Sequence, residues 1–470
     1  MNQLPPNQTH ESAARPEAFV VSNSQCPVES LELLCQQLME SARDPASTAI
    51  AAEFTTSYHE LTQSQRARFM SCLKSKFGVV PEAIHQAAEK YKNDPCFRNQ
   101  QDLAKVVEAP RQKLFRCINT APEGLKTLVQ MRQDLLEFDL PIRLALRAVE
   151  EDLKHLLQSW FNRGFLKLKR IDWDSPASLL EKLIEYEAVH QISHWGDLRR
   201  RLQGDRRCYA FFHPSLAEEP LVFVQVALTN QISGKISALI EPSSAPLDSK
   251  NADTAMFYSI SSCQPGLRGI SFGGLLIKQV VNELQADLPG ITTFSTLSPV
   301  PGFCRWLGQQ DLSHLPRHGE LKSLLNQSVE SNSDQAQSQQ TTVSDDLEDS
   351  GIDEKSETSA PEQLGSVDPQ SLEPFRSELM GLLAYYLLAA KLKGRPIDSV
   401  ARFHLGNGAQ LREVHWMANS SNNGLSKSFG MMVNYVYEID QIRSNRKHFL
   451  QDKIIAAHPS IHALAGSIKT

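Results

Sequence analysis

The chain has 470 residues, 41% hydrophobic and 22% charged, with a formal net charge of −6. No run approaches the ~20 consecutive apolar residues that a membrane-spanning helix needs, and Met1 to Ala18 holds one arginine and no signal-peptide core. These features predict a cytoplasmic globular protein of two or three domains, with no membrane association.

The charge is unevenly placed. Residues 327–368 hold eleven acidic residues and one lysine, a balance of −10, which leaves +4 on the rest of the chain. A mildly basic folded part suits a small anionic ligand and falls far short of a nucleic-acid-binding footprint. The eight cysteines (26, 35, 72, 96, 117, 208, 263 and 304) form no C-x-x-C pair, and no metal-ligand spacing stands out.

In chain order, residues 1–27 read as disordered. Residues 28–195 read as a helical bundle of seven or eight helices without a strand. Leu125, Leu128 and Leu135 recur at helical spacing, as do Leu146, Val149, Leu153, Leu156, Leu157 and Trp160. Its histidines (85, 155, 190, 194) make no ligand constellation. From about 205 to 326 the pattern alternates. Cys208–Phe212, Leu221–Leu228 and Ile236–Ile240 read as strands. Phe257 to Ile260 is a further strand that enters the loop Gly266-Leu-Arg-Gly-Ile-Ser-Phe-Gly-Gly274 and then an apolar helix from Leu275 to Leu284. Another strand ends at Ser298-Pro-Val-Pro-Gly302, and Phe303–Leu307 starts a short helix. Residues 327–368 cannot offset their ordering entropy by burial and read as a disordered insertion. The fold resumes over 369–470 with a helix Leu379–Ala390, the segment Phe403-His-Leu-Gly-Asn-Gly-Ala409, a strand around Leu411–Trp416, a loop over 419–430 and a strand Met431–Tyr437. Strands alternating with helices make this second part an α/β domain.

Glycines at 266–274 let backbone N–H groups approach a ligand, and the helix that follows points its positive end at it, an arrangement suited to a pyrophosphate. Arg268 adds a planar cationic fork. No Gly-Lys-Ser/Thr follows, so the loop is not a P-loop, and it lacks the dinucleotide G-x-G-x-x-G spacing. On the residues alone, Ser298 reads as an N-cap or turn serine, His404 as a residue that caps a turn, Tyr437 equally as core or site, and His213 and His415 as structural.

Taken in order, Phe257-Tyr-Ser-Ile-Ser261, the glycine loop, Leu297-Ser-Pro-Val-Pro-Gly-Phe303, Phe403–Ala409, Asn434-Tyr-Val-Tyr437 and His213-Pro-Ser-Leu216 resemble the malonyl-CoA decarboxylase family over roughly residues 50–460. The resemblance implies an N-terminal helical domain that mediates homo-oligomerisation, with tetramers common, and a mixed-sheet acetyltransferase-like (GNAT) α/β domain that binds CoA. It implies conversion of malonyl-CoA to acetyl-CoA and CO2 without a cofactor or metal, the thioester itself accepting the electrons. It places the proton acceptor or carboxylate partner on Ser298 and the proton donor on His404. It places substrate binding on Arg268, Gly269, Ile270, Ser271, Phe272, Gly273 and Gly274, with Ser259, Asn407 and Tyr437 in support. Family members can carry a glutamate at the position of Ser271; its absence leaves Asn407 and Glu413 as residues that could orient His404. An acyl-CoA-dependent N-acyltransferase and a non-catalytic CoA-binding scaffold are the alternative readings.

Overall fold

The computed structural model describes residues 26–41, 44–162, 164–242, 246–270, 275–313, 318–330 and 368–467. The expectations for residues 1–25 and 331–367 lie outside these; residues 327–330 form the end of a helix rather than part of the insertion.

The first region consists of α1 (Pro27–Glu40), α2 (Ser47–His59), α3 (Gln63–Lys76), α4 (Pro81–Asn93), α5 (Phe97–Val107), α6 (Pro110–Ile118), α7 (Gly124–Glu137), α8 (Leu140–Ala145) and α9 (Arg147–Trp160). Prolines at the first helical turn start α1, α4 and α6, where the missing N–H costs nothing. Thr62 and Gln65 form a capping box at α3. The amphipathic stripe of α9 buries Val149, Leu153, Leu156 and Leu157 as its spacing requires. Helix α7 serves two cores. Leu128, Met131 and Leu135 join the helical core, while Leu125 and Val129 pack into the core beneath the sheet.

The second region begins earlier than the sequence pattern indicated. β1 (Lys167–Ile171) lies inside the stretch read as purely helical and pairs antiparallel with β2 (Arg206–His213). As a five-residue edge strand with only Ile171 buried, it carries almost no apolar alternation. Helices α10 (Ala177–Tyr186) and α11 (Trp195–Arg201) connect the two strands. β3 (Leu216–Thr229) follows. The expected strand at 236–240 is instead the short helix α12 (Ser237–Ile240), with Ile236 and Leu239 buried on one side. Then come β4 (Thr254–Ser262), α13 (Leu275–Asp287), β5 (Thr293–Thr296), β6 (Ser298–Pro299), α14 (Phe303–Leu307) and α15 (His318–Glu330). After the insertion the order is α16 (Pro369–Leu372), α17 (Arg376–Ala389), the small pair β7 (Lys391–Leu392) and β8 (Arg395–Pro396), α18 (Ser399–Gly406), β9 (Gln410–His415), α19 (Asn422–Ser428), β10 (Met432–Val436), α20 (Ile442–Lys447) and α21 (Pro459–Gly466). The 419–430 stretch read as loop thus contains α19, capped by Ser421 and closed by Phe429 in the left-handed region (φ 50°).

Eight strands form one mixed sheet in the order β1-β2-β3-β4-β5-β10-β6, with β9 on β10. β4 and β5 are its parallel pair, joined by the α13 crossover; the other pairings are antiparallel. A register shift falls between Gln225 and Val226, opposite Ser259 and Phe257. Beyond Thr296 the fifth strand leaves β4, and Ser298 pairs with Val433 of β10 instead. This departure from β4 is where the candidate site forms.

Candidate active site

Ser298 lies at the start of β6, 5% exposed. Its hydroxyl donates to Thr296 Oγ1 at 2.8 Å and stands 3.0 Å from His404 Nε2. The two hydroxyls are two residues apart on one strand path, so they share a face. His404 comes from the last turn of α18, a helix started by Asp398, whose side chain accepts the Ala401 N–H. Its Nδ1 lies 2.8 Å from Tyr437 Oη. Its ring stacks on Tyr435 with centroids 4.7 Å apart and an interplanar angle of 23°, and meets Phe403 edge-on.

The hydrogen bonds assign the tautomer. The Ser298 proton points at Thr296, so Ser298 Oγ accepts from Nε2–H. Nδ1 is then bare and accepts from the Tyr437 hydroxyl. Burial pushes the His404 pKa down to about 3, so the imidazole is neutral at ordinary pH. Burial raises the Tyr437 hydroxyl well above its ordinary value, so it keeps its proton. Such a chain can hold a neutral histidine in one orientation and offer a proton at Nε2.

His404 is therefore oriented by Tyr437 and Tyr435, which corrects the expectation that Asn407 or Glu413 does so. Asn407 ends α18, its N–H bonded to the carbonyls of Phe403 and His404. It also lines a cavity of about 350 Å³ with Tyr437, Lys278, Asp440 and Arg443. The Glu413 side chain is exposed and faces His415. His415 bonds to Asn434 Oδ1, and His213 packs on Phe161, so both have structural partners. Cys263 and Cys304 are buried.

Ser259 is engaged elsewhere. Its hydroxyl contacts both oxygens of Glu187 at 2.7 and 2.9 Å. That carboxylate also takes Gln225 Nε2 at 2.8 Å and the N–H groups of Val189 and His190, and Arg201 lies 3.7 Å away. Burial raises the Glu187 carboxyl, and Arg201 pulls it back. This buried cluster braces the 187–190 segment over β4, and Ser259 makes no hydrogen bond to Ser298 or His404.

The glycine loop leaves β4 through a single turn at Pro265–Leu267. Gly269 sits at φ +76°, a conformation that suits glycine. Arg268 is exposed and Ile270 buried. Ser271, Phe272, Gly273 and Gly274 lie outside the described residues. The helical region holds this loop. Arg132 of α7, 2% exposed, donates from Nη1 to the carbonyls of Gly266 and Arg268, and its guanidinium pairs with Glu150 at 2.8 Å. A Cβ on Gly266 would collide with the backbone carbonyl of Val129. Thr296, Tyr435, Arg132, Glu187 and Asp398 were not singled out from the sequence. Thr296 had a local signal, a hydroxyl two residues before Ser298 on one strand; Arg132 had none.

A helical region followed by a mixed sheet that carries a buried Ser–His–Tyr chain defines an α + α/β protein. Models of the malonyl-CoA decarboxylase C-terminal and N-terminal domains match residues 164–469 and 77–161. The chain is 36% identical over 447 residues to the mitochondrial malonyl-CoA decarboxylase of Anser anser anser, covering 90% of this chain and 84% of that one. It is 35% identical over 457 residues to that of Rattus norvegicus, covering 92% and 88%. The crystal structure of malonyl-CoA decarboxylase from Agrobacterium vitis superposes with a TM-score of 0.79 at 39% identity, covering 93% of this chain and all of that one. The chain belongs to the malonyl-CoA decarboxylase family.

Proposed function

We propose that the protein converts malonyl-CoA to acetyl-CoA and CO2, with Ser298 and His404 at the reacting atoms. The observation that carries this reading is the buried contact between Ser298 Oγ and His404 Nε2 at 3.0 Å, backed by Tyr437 at Nδ1. The CoA pyrophosphate lies on the loop from Arg268 to Gly274, and the acyl chain enters beside β4.

The chemistry balances as follows. The malonyl carboxylate leaves as CO2, and the electron pair of the broken C–C bond passes to the thioester as an enolate. One proton then joins the enolate carbon, so each turnover consumes one proton. The unliganded His404 is neutral, but an incoming carboxylate beside Nε2 and Ser298 favours the imidazolium. Substrate binding thus loads the proton that His404 later gives to carbon. Hydrogen-bond donors facing the enolate oxygen supply the largest stabilisation in reactions of this type. The thioester is the electron sink, so the step is complete without a cofactor.

The test is incubation of purified protein with malonyl-CoA. The expected result is equimolar CO2 and acetyl-CoA, abolished in Ser298→Ala and His404→Ala. Acylation of an added amine with release of free CoA would replace this reading with an acyltransferase. We further propose a cytoplasmic homo-oligomer assembled through the helical region. Phe97 at 71%, Val80 at 58% and Val107 at 52% exposure leave α4 and α5 with apolar surface suited to a second copy. Sedimentation of the intact protein tests this, and a monomer at micromolar concentration overturns it.

A further inference from the structure

Each ring nitrogen of His404 has a hydrogen-bond partner. Nε2 carries a proton toward Ser298, and Nδ1 accepts from the Tyr437 hydroxyl at 2.8 Å. Forming the imidazolium therefore means adding a proton at Nδ1, because Nε2 already holds one. The neighbour at that nitrogen, Tyr437, also forms part of the wall of the cavity of about 350 Å³ described above. The cavity lies between α13, which lines it with Ile277 and Val281, and the segment that follows β10. Asn407, Asp440 and Arg443 supply polar atoms to it, so it is roomy and polar enough to hold water. Asp440 and Arg443 are exposed, so the cavity opens to solvent. Ser298 and His404, by contrast, are 5% and 4% exposed.

We propose that the cavity behind Tyr437 is the proton entrance of the active site, with the Tyr437 hydroxyl passing protons from cavity water to Nδ1 of His404. This inference rests on the decarboxylase reading, in which one proton is consumed per turnover.

The transfers balance. As the substrate carboxylate arrives, Tyr437 gives its hydroxyl proton to Nδ1 and takes one from hydronium in the cavity. The tyrosine stays neutral, and the imidazole becomes imidazolium. After CO2 leaves, Nε2–H passes its proton to the enolate carbon, and the ring is neutral again with its proton on Nδ1. When acetyl-CoA departs, water beside Ser298 gives Nε2 a proton while the Nδ1 proton returns through Tyr437 to the cavity. This last exchange restores the starting tautomer with no net proton, so one proton enters per cycle. Tyr437 reaches the substrate only through His404 and is thus a positioning residue that also carries the ring's proton.

The test separates proton delivery from orientation of the ring. Gln285 is half-buried in the cavity wall and touches neither His404 nor Ser298, so Gln285→Trp plugs the cavity and leaves the Tyr437–His404 bond in place. A non-reacting malonyl-CoA analogue that keeps the carboxylate is mixed with the intact protein in weak buffer. Stopped-flow fluorescence follows binding, and an indicator dye follows proton uptake. In the wild type, uptake should keep pace with binding. In Gln285→Trp and in Tyr437→Phe, uptake should lag behind binding by ~10-fold or more, the low end of what a positioned proton donor contributes. In Gln285→Trp, kcat should fall with a larger solvent deuterium isotope effect, while the analogue's affinity stays unchanged. Uptake that keeps pace in Gln285→Trp overturns the proposal, even if Tyr437→Phe lags, because the proton then bypasses the cavity. If Gln285→Trp does not fold, Asn282→Trp on the exposed side of the same wall takes its place. A wild type that turns over malonyl-CoA but takes up no proton on binding the analogue also overturns it and leaves the decarboxylase reading standing. A wild type without turnover sinks the decarboxylase reading, while the lag in uptake still decides the route.

Discussion

Arg132 and Gly266 are 134 residues apart in sequence, yet the guanidinium of one donates to the carbonyl of the other at 2.7 Å and to that of Arg268 at 2.6 Å. The donor belongs to the helical region and the acceptors to the loop that enters α13. Tying those carbonyls to Arg132 fixes the start of the loop on the helical region.

Arg132→Ala should therefore weaken substrate binding more than chemistry. Hydrogen bonds to a charged group are worth about 1.5–3 kcal/mol, so KM for malonyl-CoA should rise roughly 10-fold or more while kcat falls less. Glu150→Gln, which keeps the donors but loses their ionic brace, should give a smaller rise. Steady-state kinetics on both variants checks the order, and an unchanged KM in Arg132→Ala would exclude the loop as its target.

Tyr437→Phe leaves Nδ1 of a buried imidazole without its donor. The cost of an unmade buried hydrogen bond is about 1–3 kcal/mol. We expect kcat to fall roughly 5- to 100-fold, with KM little changed. A variant that kept wild-type kcat would show that Tyr435 stacking alone orients the ring.

Substrate binding should take up a proton. His404 is neutral in the free protein because burial holds its pKa at about 3. Binding a non-reacting malonyl-CoA analogue that keeps the carboxylate, measured by calorimetry in buffers of different ionisation enthalpy at pH 7, should reveal uptake approaching one proton. The same titration with His404→Gln should show none.

Stability should respond to pH through the same ring. Its folded pKa, about 3, lies below the unfolded value of 6.5. The unfolded chain therefore binds more protons between those limits, and stability falls as pH drops below 6.5, at up to about 1.4 kcal/mol per pH unit for one group. His190 acts in the same direction, and Asp398, raised to about 6, acts in the opposite one. The His404 contribution is isolated by comparison with His404→Asn. The stability difference between the two should be constant above pH 6.5 and should shift against the wild type below it, as read by urea unfolding.

Much of the second region could be read from sequence because its signals are local. The glycine loop and the apolar run after it mark α13, and the alternating apolar runs mark β2, β3 and β10. Ser298 and His404 came from ordered short blocks rather than from any periodicity. What escaped was set by distant partners. β1 reads as a charged tether because only Ile171 is buried, and its identity as a strand comes from β2. The stretch around Ile236 looks β-branched enough for a strand, but its buried side chains face a helix-sized turn packed on Ala418. α19 hides in a Ser/Asn/Gly composition that favours loops, and its cap at Ser421 is the local sign of a helix. Ser259 sits on the correct strand, yet its hydroxyl answers to Glu187, 72 residues earlier.

Helix α7 places Leu125 and Val129 in one hydrophobic core and Leu128, Met131 and Leu135 in another. The protein is therefore not a pair of interchangeable cassettes. A chimera that replaced the first 161 residues with an unrelated helical module would strip part of the cover from the sheet's core and leave the carbonyls at 266 and 268 without their donor. Any ancestor that joined two independent units had to rebuild this helix for both at once.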